Sequence, residues 1–236
     1  MDLKHLFGKI KEYGLKGSIE IVMHRFLFFP RNYYSELGED ILLQHYCSKK
    51  SGFYIDIGAY HPKKISVTYL FYQRGWRGIN IEPNPQAIKT FNRMRRRDIN
   101  LNIGIYDEVG KLDYYYYGKN DSNNTFNPIY EQQYVAKEIM KIKVDTLNNV
   151  LDNYLPEGTT IDFLNIDVEG DELKILQSID YNKYAPKLIL VEDLNFYDKN
   201  KDFMAFRDTA LYKFLNMKGY IVVAKTWYTI LFKKLE

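Results

Sequence analysis

Four short apolar stretches, each finishing on or beside an acidic residue, constrain this chain more than anything else in it. Phe53–Ile57 carries Asp56, Gly78–Glu82 ends in Glu82, Asp162–Asp167 ends in Asp167, and Lys187–Glu192 ends in Glu192 followed by Asp193. A fifth stretch, Asn100–Ile105, lies among them, and helical patterning covers about 63–74, 84–97, 170–178 and 202–218. Strands separated by helices make βαβ units and a parallel sheet covered on both faces. In such a sheet the strands finish along one edge, and ligands bind there. Four acids on one ligand-binding edge are hard to explain in a chain that only packs.

Two further segments refine the architecture. Tyr220–Ala224 and Tyr228–Phe232, joined by Lys225-Thr-Trp227, read as an antiparallel hairpin. The stretch 106–161 interrupts the alternation with a strand at Lys111–Tyr117, a polar turn-rich loop over 118–127 and a helix over 128–141. Residues 1–34 are expected to be an N-terminal helical extension and 35–236 the main domain. Leu3, Leu6, Phe7 and Ile10 have helical spacing, which suits a capping helix or a homodimer contact better than a helix lying on a membrane.

Composition then removes several classes. With 46% hydrophobic residues the chain can close a core, and a net charge of +3 with mixed signs argues against nucleic acid as a partner. The single cysteine, Cys47, excludes an internal disulfide and a zinc ladder, and points to a reducing, cytoplasmic setting. Neither a signal peptide nor a membrane span is legible at the N-terminus.

The chemistry sits at the strand ends. In Gly52-Phe-Tyr-Ile-Asp-Ile-Gly-Ala-Tyr-His-Pro62 an apolar strand delivers Asp56, and Gly58-Ala59 makes a tight turn that lets the backbone approach a cofactor. Three glycines for a pyrophosphate are missing, so a cofactor with a cationic amine and a sulfonium suits Asp56 better than a dinucleotide. Glu82 follows 26 positions later, where an acid can accept both hydroxyls of a ribose, and Pro83 and Pro85 turn the chain into a helix. Asn102 at the third strand end would edge an adenine. Asp167 and Glu169 point toward the cleft, joined by Glu192 and Asp193, whereas Asp171 and Glu172 read as helix starters. Such acids would bind Mg²⁺ or supply a base. Of the histidines, His61 alone follows the cofactor turn, either approaching the acceptor or capping a loop.

Taken in order, these residues resemble the FkbM-type methyltransferases that use S-adenosylmethionine (SAM). The likeness rests on Tyr34-Ser-Glu-Leu-Gly-Glu-Asp40, Gly52–Pro62, Gly75-Trp-Arg-Gly-Ile-Asn-Ile-Glu-Pro-Asn-Pro85, Lys143-Val-Asp-Thr-Leu147 and Asp162–Gly170. It implies a Rossmann-like class I methyltransferase α/β fold, with a mostly parallel seven-stranded sheet, a C-terminal antiparallel hairpin and helices on both faces. It also implies SAM as donor and O-methylation of a sugar or sugar nucleotide in polysaccharide or glycosylated natural-product synthesis. By motif, Asp56, Gly58 and Ala59 would hold the amino-acid end of SAM and Glu82 its ribose. Ser66 and Thr68 would face the cofactor, and Asp167 would lie near the sulfonium and the acceptor. Glu36 departs from the pattern, which usually has Gln there, so no contact is assigned to it.

Three other readings remain open at this point. A nicotinamide-dependent oxidoreductase shares the sheet but lacks GxGxxG. A metal-dependent glycosyltransferase would use Asp167-Val-Glu169 as a DxD-like pair. A non-catalytic interaction domain leaves the acids on the sheet edge unexplained. For a methyltransferase, Asp167, Glu169, Glu192, Asp193 or His61 would take the acceptor proton, or the acids would hold Mg²⁺.

Overall fold

The computed structural model describes residues 33–118, 124–127, 135–193 and 204–235. The expected N-terminal extension and its capping or dimer role lie outside these residues, as do the remaining parts of the 118–127 loop. In chain order the elements are α1 (Glu39–Tyr46), β1 (Phe53–Ile57), α2 (Tyr69–Gln73), β2 (Arg77–Ile81), α3 (Pro85–Met94), β3 (Ile99–Leu101), β4 (Gly104–Ile105), β5 (Gly110–Tyr116) and β6 (Glu138–Asp145). They continue with α4 (Leu147–Tyr154), β7 (Phe163–Ile166), α5 (Glu172–Gln177), β8 (Leu188–Glu192), a 3₁₀ turn (Ala205–Asp208), α6 (Ala210–Met217), β9 (Tyr220–Lys225) and β10 (Thr229–Lys234).

The main sheet has the order β3-β2-β1-β7-β8-β10-β9, parallel through β8 and closed by the antiparallel β9–β10 hairpin. This is the expected sheet of seven strands. Its central strands are buried along their length because both faces are covered. On one face Ile55, Ile57, Ile79 and Ile166 pack with Val150 and Leu151 of α4, Ile175 of α5 and Leu215 of α6. On the other, Tyr54, Phe163 and Leu190 pack with Leu43, Phe71 and Trp76. Each such side chain contributes about 1.5–3 kcal/mol by leaving water.

Register decides where the site lies. Ile57 is opposite both Ile81 and Ile166, and Ile166 is opposite Val191. The next residue on each strand, Gly58, Glu82, Asp167 and Glu192, therefore falls on one edge.

Three expectations need correction. The stretch Asn100–Ile105 is two strands in two sheets: β3 pairs with β2, whereas β4 joins the separate sheet β4-β6-β5. Asn102 causes the break, because its side-chain amide donates to the carbonyls of Glu82 (3.0 Å) and Pro83 (2.7 Å). The helix expected over 63–74 shrinks to Tyr69–Gln73, since Pro62 and the left-handed Ile65 (φ 50°) keep the preceding turn irregular. Within the stretch expected as helix over 128–141, residues from Glu138 are the start of β6, paired antiparallel with β5 from Tyr116↔Glu138 to Gly110↔Val144. Residues 128–134 lie outside the description.

Candidate active site

The strand ends open into a cavity of about 630 Å³. Asp56, Gly58, Ala59, Ser66, Glu82, Pro83, Asp167, Glu169 and Glu192 line it, all of them expected from the sequence. Thr68, Asn102, His61 and Asp193, also expected, do not.

Asp56 is buried at the end of β1 and shares both oxygens with the protein. Oδ2 accepts from the Thr68 hydroxyl at 2.7 Å and Oδ1 from the Asn165 amide at 2.9 Å. Burial pushes its carboxyl above the usual range, against the pull of those two donors. Behind Thr68 lies Arg95, completely buried. Its guanidinium donates to Thr68 Oγ1 (3.2 Å), Ser66 Oγ (3.0 Å), the Tyr54 hydroxyl (2.9 Å) and the Pro62 carbonyl (2.7 Å). Asp98 faces it at 3.5 Å and accepts from Tyr54 and Asn80. Thr68 thus supports the cavity from behind.

Gly58 (φ 76°) is required by the protein's own backbone: a Cβ there would stand 1.7 Å from the carbonyl oxygen of Asp167. The sequence reading gave this glycine to cofactor approach. The close approach that the structure shows is between two strand-end turns.

Glu82 accepts the backbone N–H of Tyr60 at Oε2 (2.7 Å) and of Asn84 at Oε1 (2.8 Å). Each oxygen keeps a second lone-pair site, and Glu82 lines the cavity. Burial drives its pKa up to about 7 despite the two N–H donors. Asn84 also caps α3 by accepting from the Gln86 N–H, with Pro85 at the first helical position. Asn102 holds the same turn from outside, through the two carbonyls already described. Ile81, Ile103 and Pro83 give this part of the cavity an apolar wall.

Asp167, Glu169 and Glu192 bring carboxylate oxygens within 4.8 Å of one another. Glu169 reaches in from a left-handed backbone (φ 62°). Glu172, expected only to start a helix, holds that loop by accepting the N–H groups of Val168 (3.2 Å) and Gly170 (3.0 Å). Solvent in the cavity reaches Asp167, whereas Glu192 is buried. The surrounding protein, then Glu169 and Glu172, push the Asp167 carboxyl well above its usual range. Burial, then Asp167 and Glu169, push Glu192 up to about 11, and a hydrogen bond joins the two carboxyls.

His61 has a capping role. Its Nδ1 accepts the N–H groups of Lys63 and Lys64, each at 3.0 Å, which commits that nitrogen to the turn. Asp193 is buried beyond the rim, in electrostatic range of Lys225. Tyr228 and Glu36, which the sequence reading left without a role, line the cavity together, the Tyr228 hydroxyl donating to Glu36 at 2.6 Å. Tyr114 and Phe126 close another side, their ring centroids 5.0 Å apart.

Comparison with known proteins follows this geometry. Residues 56–222 match the family model of the Methyltransferase FkbM domain. Among solved structures the chain is similar to methyltransferase FkbM from Methylobacillus flagellatus KT, with a TM-score of 0.50 and 15% identity, over 85% of this chain and 48% of that one. The chain therefore spans about half the length of that structure. It also matches a precorrin-6y C5,15-methyltransferase from Geobacter metallireducens (TM-score 0.42, 16% identity, 83% of this chain and 87% of that one). A third match is an O-methyltransferase from Bacillus cereus in complex with SAH (TM-score 0.42, 11% identity, 92% and 88%). No curated protein matches. Among the described residues no helix is long and apolar enough to cross a membrane.

Proposed function

Because the chain belongs to the FkbM methyltransferase family, we propose that it moves a methyl group from SAM to a hydroxyl oxygen of a sugar-like acceptor in the cytoplasm, within polysaccharide or glycosylated natural-product synthesis. The observation that carries this reading is the division of one cavity into two halves. At one end Glu82, with a lone-pair site open on each oxygen, stands beside the apolar Ile81, Pro83 and Ile103. At the other, three carboxyls converge. The residues fit SAM better than a dinucleotide, since no glycine cluster for a pyrophosphate stands at the first turn.

SAM, when bound, supplies a methyl group activated on a sulfonium and departs as a neutral thioether. Glu82 would accept the two ribose hydroxyls, and Asp56, Ser66 and the Gly58-Ala59 backbone would hold the amino-acid end. The acceptor hydroxyl is a poor nucleophile, so a positioned base must take its proton as the new oxygen–carbon bond forms. Asp167 and Glu169 are the solvent-reached carboxyls able to do so; Glu192, buried and hydrogen-bonded to Asp167, would orient it. Holding the three reacting atoms in line supplies much of the acceleration.

A second use of the same carboxyls follows from their mutual distances: Asp167, Glu169 and Glu192 are close enough to hold a Mg²⁺ that polarises the hydroxyl. Undiminished turnover in excess EDTA would remove it. For the reading itself, calorimetry with SAM and NAD side by side, followed by labelled SAM with a panel of sugars, is the test. SAM binding with label transferred to a sugar oxygen is expected; NAD binding in its place would overturn it.

A further inference from the structure

The small sheet β4-β6-β5 is separate from the seven-stranded sheet, yet it lines part of the same cavity. Ile105 of β4, Tyr114 of β5 and the segment from Asn124 to Phe126 all belong to the lining. The chain enters this sheet directly from the Glu82 turn: Asn102 is bonded there, and two residues later Gly104 pairs with Val144. The Phe126 ring takes the space over Gly104, where a Cβ would stand 2.5 Å from it. Tyr114 packs on that ring, the centroids 5.0 Å apart.

Tyr114 carries the inference. It is 2% exposed and it lines the cavity. Among the described residues its hydroxyl has no hydrogen-bond partner, and that oxygen is not one of the unpaired polar atoms sealed from solvent. A phenol so deeply buried ordinarily finds a partner inside the protein. Here the side left open is the cavity. Burial, then the Glu82 carboxylate, hold the hydroxyl pKa well above its ordinary value, so it keeps its proton and can donate. Glu82 is also the carboxylate that acts on it, so the hydroxyl lies toward the Glu82 end of the cavity rather than among Asp167, Glu169 and Glu192.

An adenosyl group whose ribose hydroxyls go to Glu82 has mostly acceptors left to satisfy, the ring nitrogens of the base and the ribose ring oxygen. The apolar Ile81, Pro83, Ile103 and Ile105 of this wall offer no side-chain donor to them. Tyr114 does.

We propose that Tyr114 is a cosubstrate-binding residue: its hydroxyl donates to an acceptor atom of the SAM nucleoside, so that the small sheet completes a site the main sheet leaves open. The inference rests on the methyltransferase reading above and extends its binding residues beyond the strand ends of the main sheet.

Tyr114→Phe removes the hydroxyl and keeps the ring. Titration calorimetry on the full chain uses two probes, S-adenosylhomocysteine and 5′-methylthioadenosine, which has the same nucleoside without the amino-acid end. Urea denaturation of the empty protein is measured beside it. Both probes are expected to bind the variant about three- to tenfold more weakly, and by the same factor. The empty variant should be as stable as wild type, because the missing hydroxyl leaves no partner behind. Unchanged affinity for both probes overturns the proposal. So does a loss confined to S-adenosylhomocysteine, which would put the hydroxyl at the amino-acid end. A less stable empty variant overturns it too, by giving the hydroxyl a partner within the protein. Failure of both probes to bind the wild-type chain would show before any variant is compared, and would overturn the methyltransferase reading itself.

Discussion

Arg95 and Asp56 are linked through one hydroxyl: the guanidinium donates to Thr68 Oγ1 at 3.2 Å, and Thr68 donates to Asp56 Oδ2 at 2.7 Å. A cation with no contact to the cavity therefore orients the carboxylate that lines it. Arg95→Met would leave Asp98 and Asp56 buried without their compensating charge, and losing one member of such a network costs about 3–5 kcal/mol. Urea denaturation should show a loss of that size, and one below about 1 kcal/mol would mean the network is idle. Thr68→Val, nearly the same shape, should cost about 1–3 kcal/mol and weaken SAM binding several-fold.

Gly58→Ala is expected to be far worse than an ordinary glycine replacement. The new Cβ would stand 1.7 Å from the Asp167 carbonyl oxygen, and the backbone there has φ 76°. Both turns must move, so we expect a loss of more than about 3 kcal/mol and no measurable SAM affinity. A melting temperature near wild type would contradict the close packing of the two turns.

Glu82 gives the cavity a pH dependence. Ribose hydroxyls donate to the ionised carboxylate, so binding favours the deprotonated form, and with a pKa of about 7 in the empty protein affinity should fall as pH drops through 7. Calorimetry from pH 8 to pH 6 should show the decline, and Glu82→Gln should flatten it while weakening binding throughout. Fold stability runs the opposite way. A carboxyl raised from 4.5 to about 7 contributes stability that is fully present below the unfolded value and is lost as pH rises through 7, on the order of 3 kcal/mol for this group. Asp56, Asp167, Glu172 and Glu192 are shifted in the same direction. The empty protein should therefore resist urea better at pH 5 than at pH 8.

Within the carboxyl group, Asp167 and Glu192 should respond differently to amide replacement. Asp167→Asn removes a base and is expected to lower kcat by about 10²–10⁴ with SAM affinity kept. Glu192→Gln keeps a hydrogen-bonding group beside Asp167, and should keep kcat within about threefold. If Asp167→Asn turns over normally, Glu169 is the base.

Much of the fold and of the site is legible in the sequence. The apolar strands around Asp56, Glu82, Asp167 and Glu192 set the sheet and its ligand edge, because burial on both faces and a common carboxyl end leave little choice. Arg95 was missed because Arg93-Met-Arg-Arg-Arg97 reads as a solvated run. The signal was still present: Ile88, Phe91 and Arg95 share one helix face, and the first two are buried. Asn165, a polar residue inside an apolar strand, was a similar cue. The break at Asn102 was less visible, since it depends on two carbonyls that arrive there only when the β2 turn has formed. His61 shows the limit of proximity in sequence: following the cofactor turn by two residues left its ring nitrogen bonded to the next loop.

The two backbone N–H groups that Glu82 accepts belong to different crossovers, Tyr60 after β1 and Asn84 after β2. One carboxylate is thus a shared rivet. A change that displaces either turn loosens its neighbour, so the two segments cannot drift independently in evolution. An engineer who regrafts one of them must carry the other along.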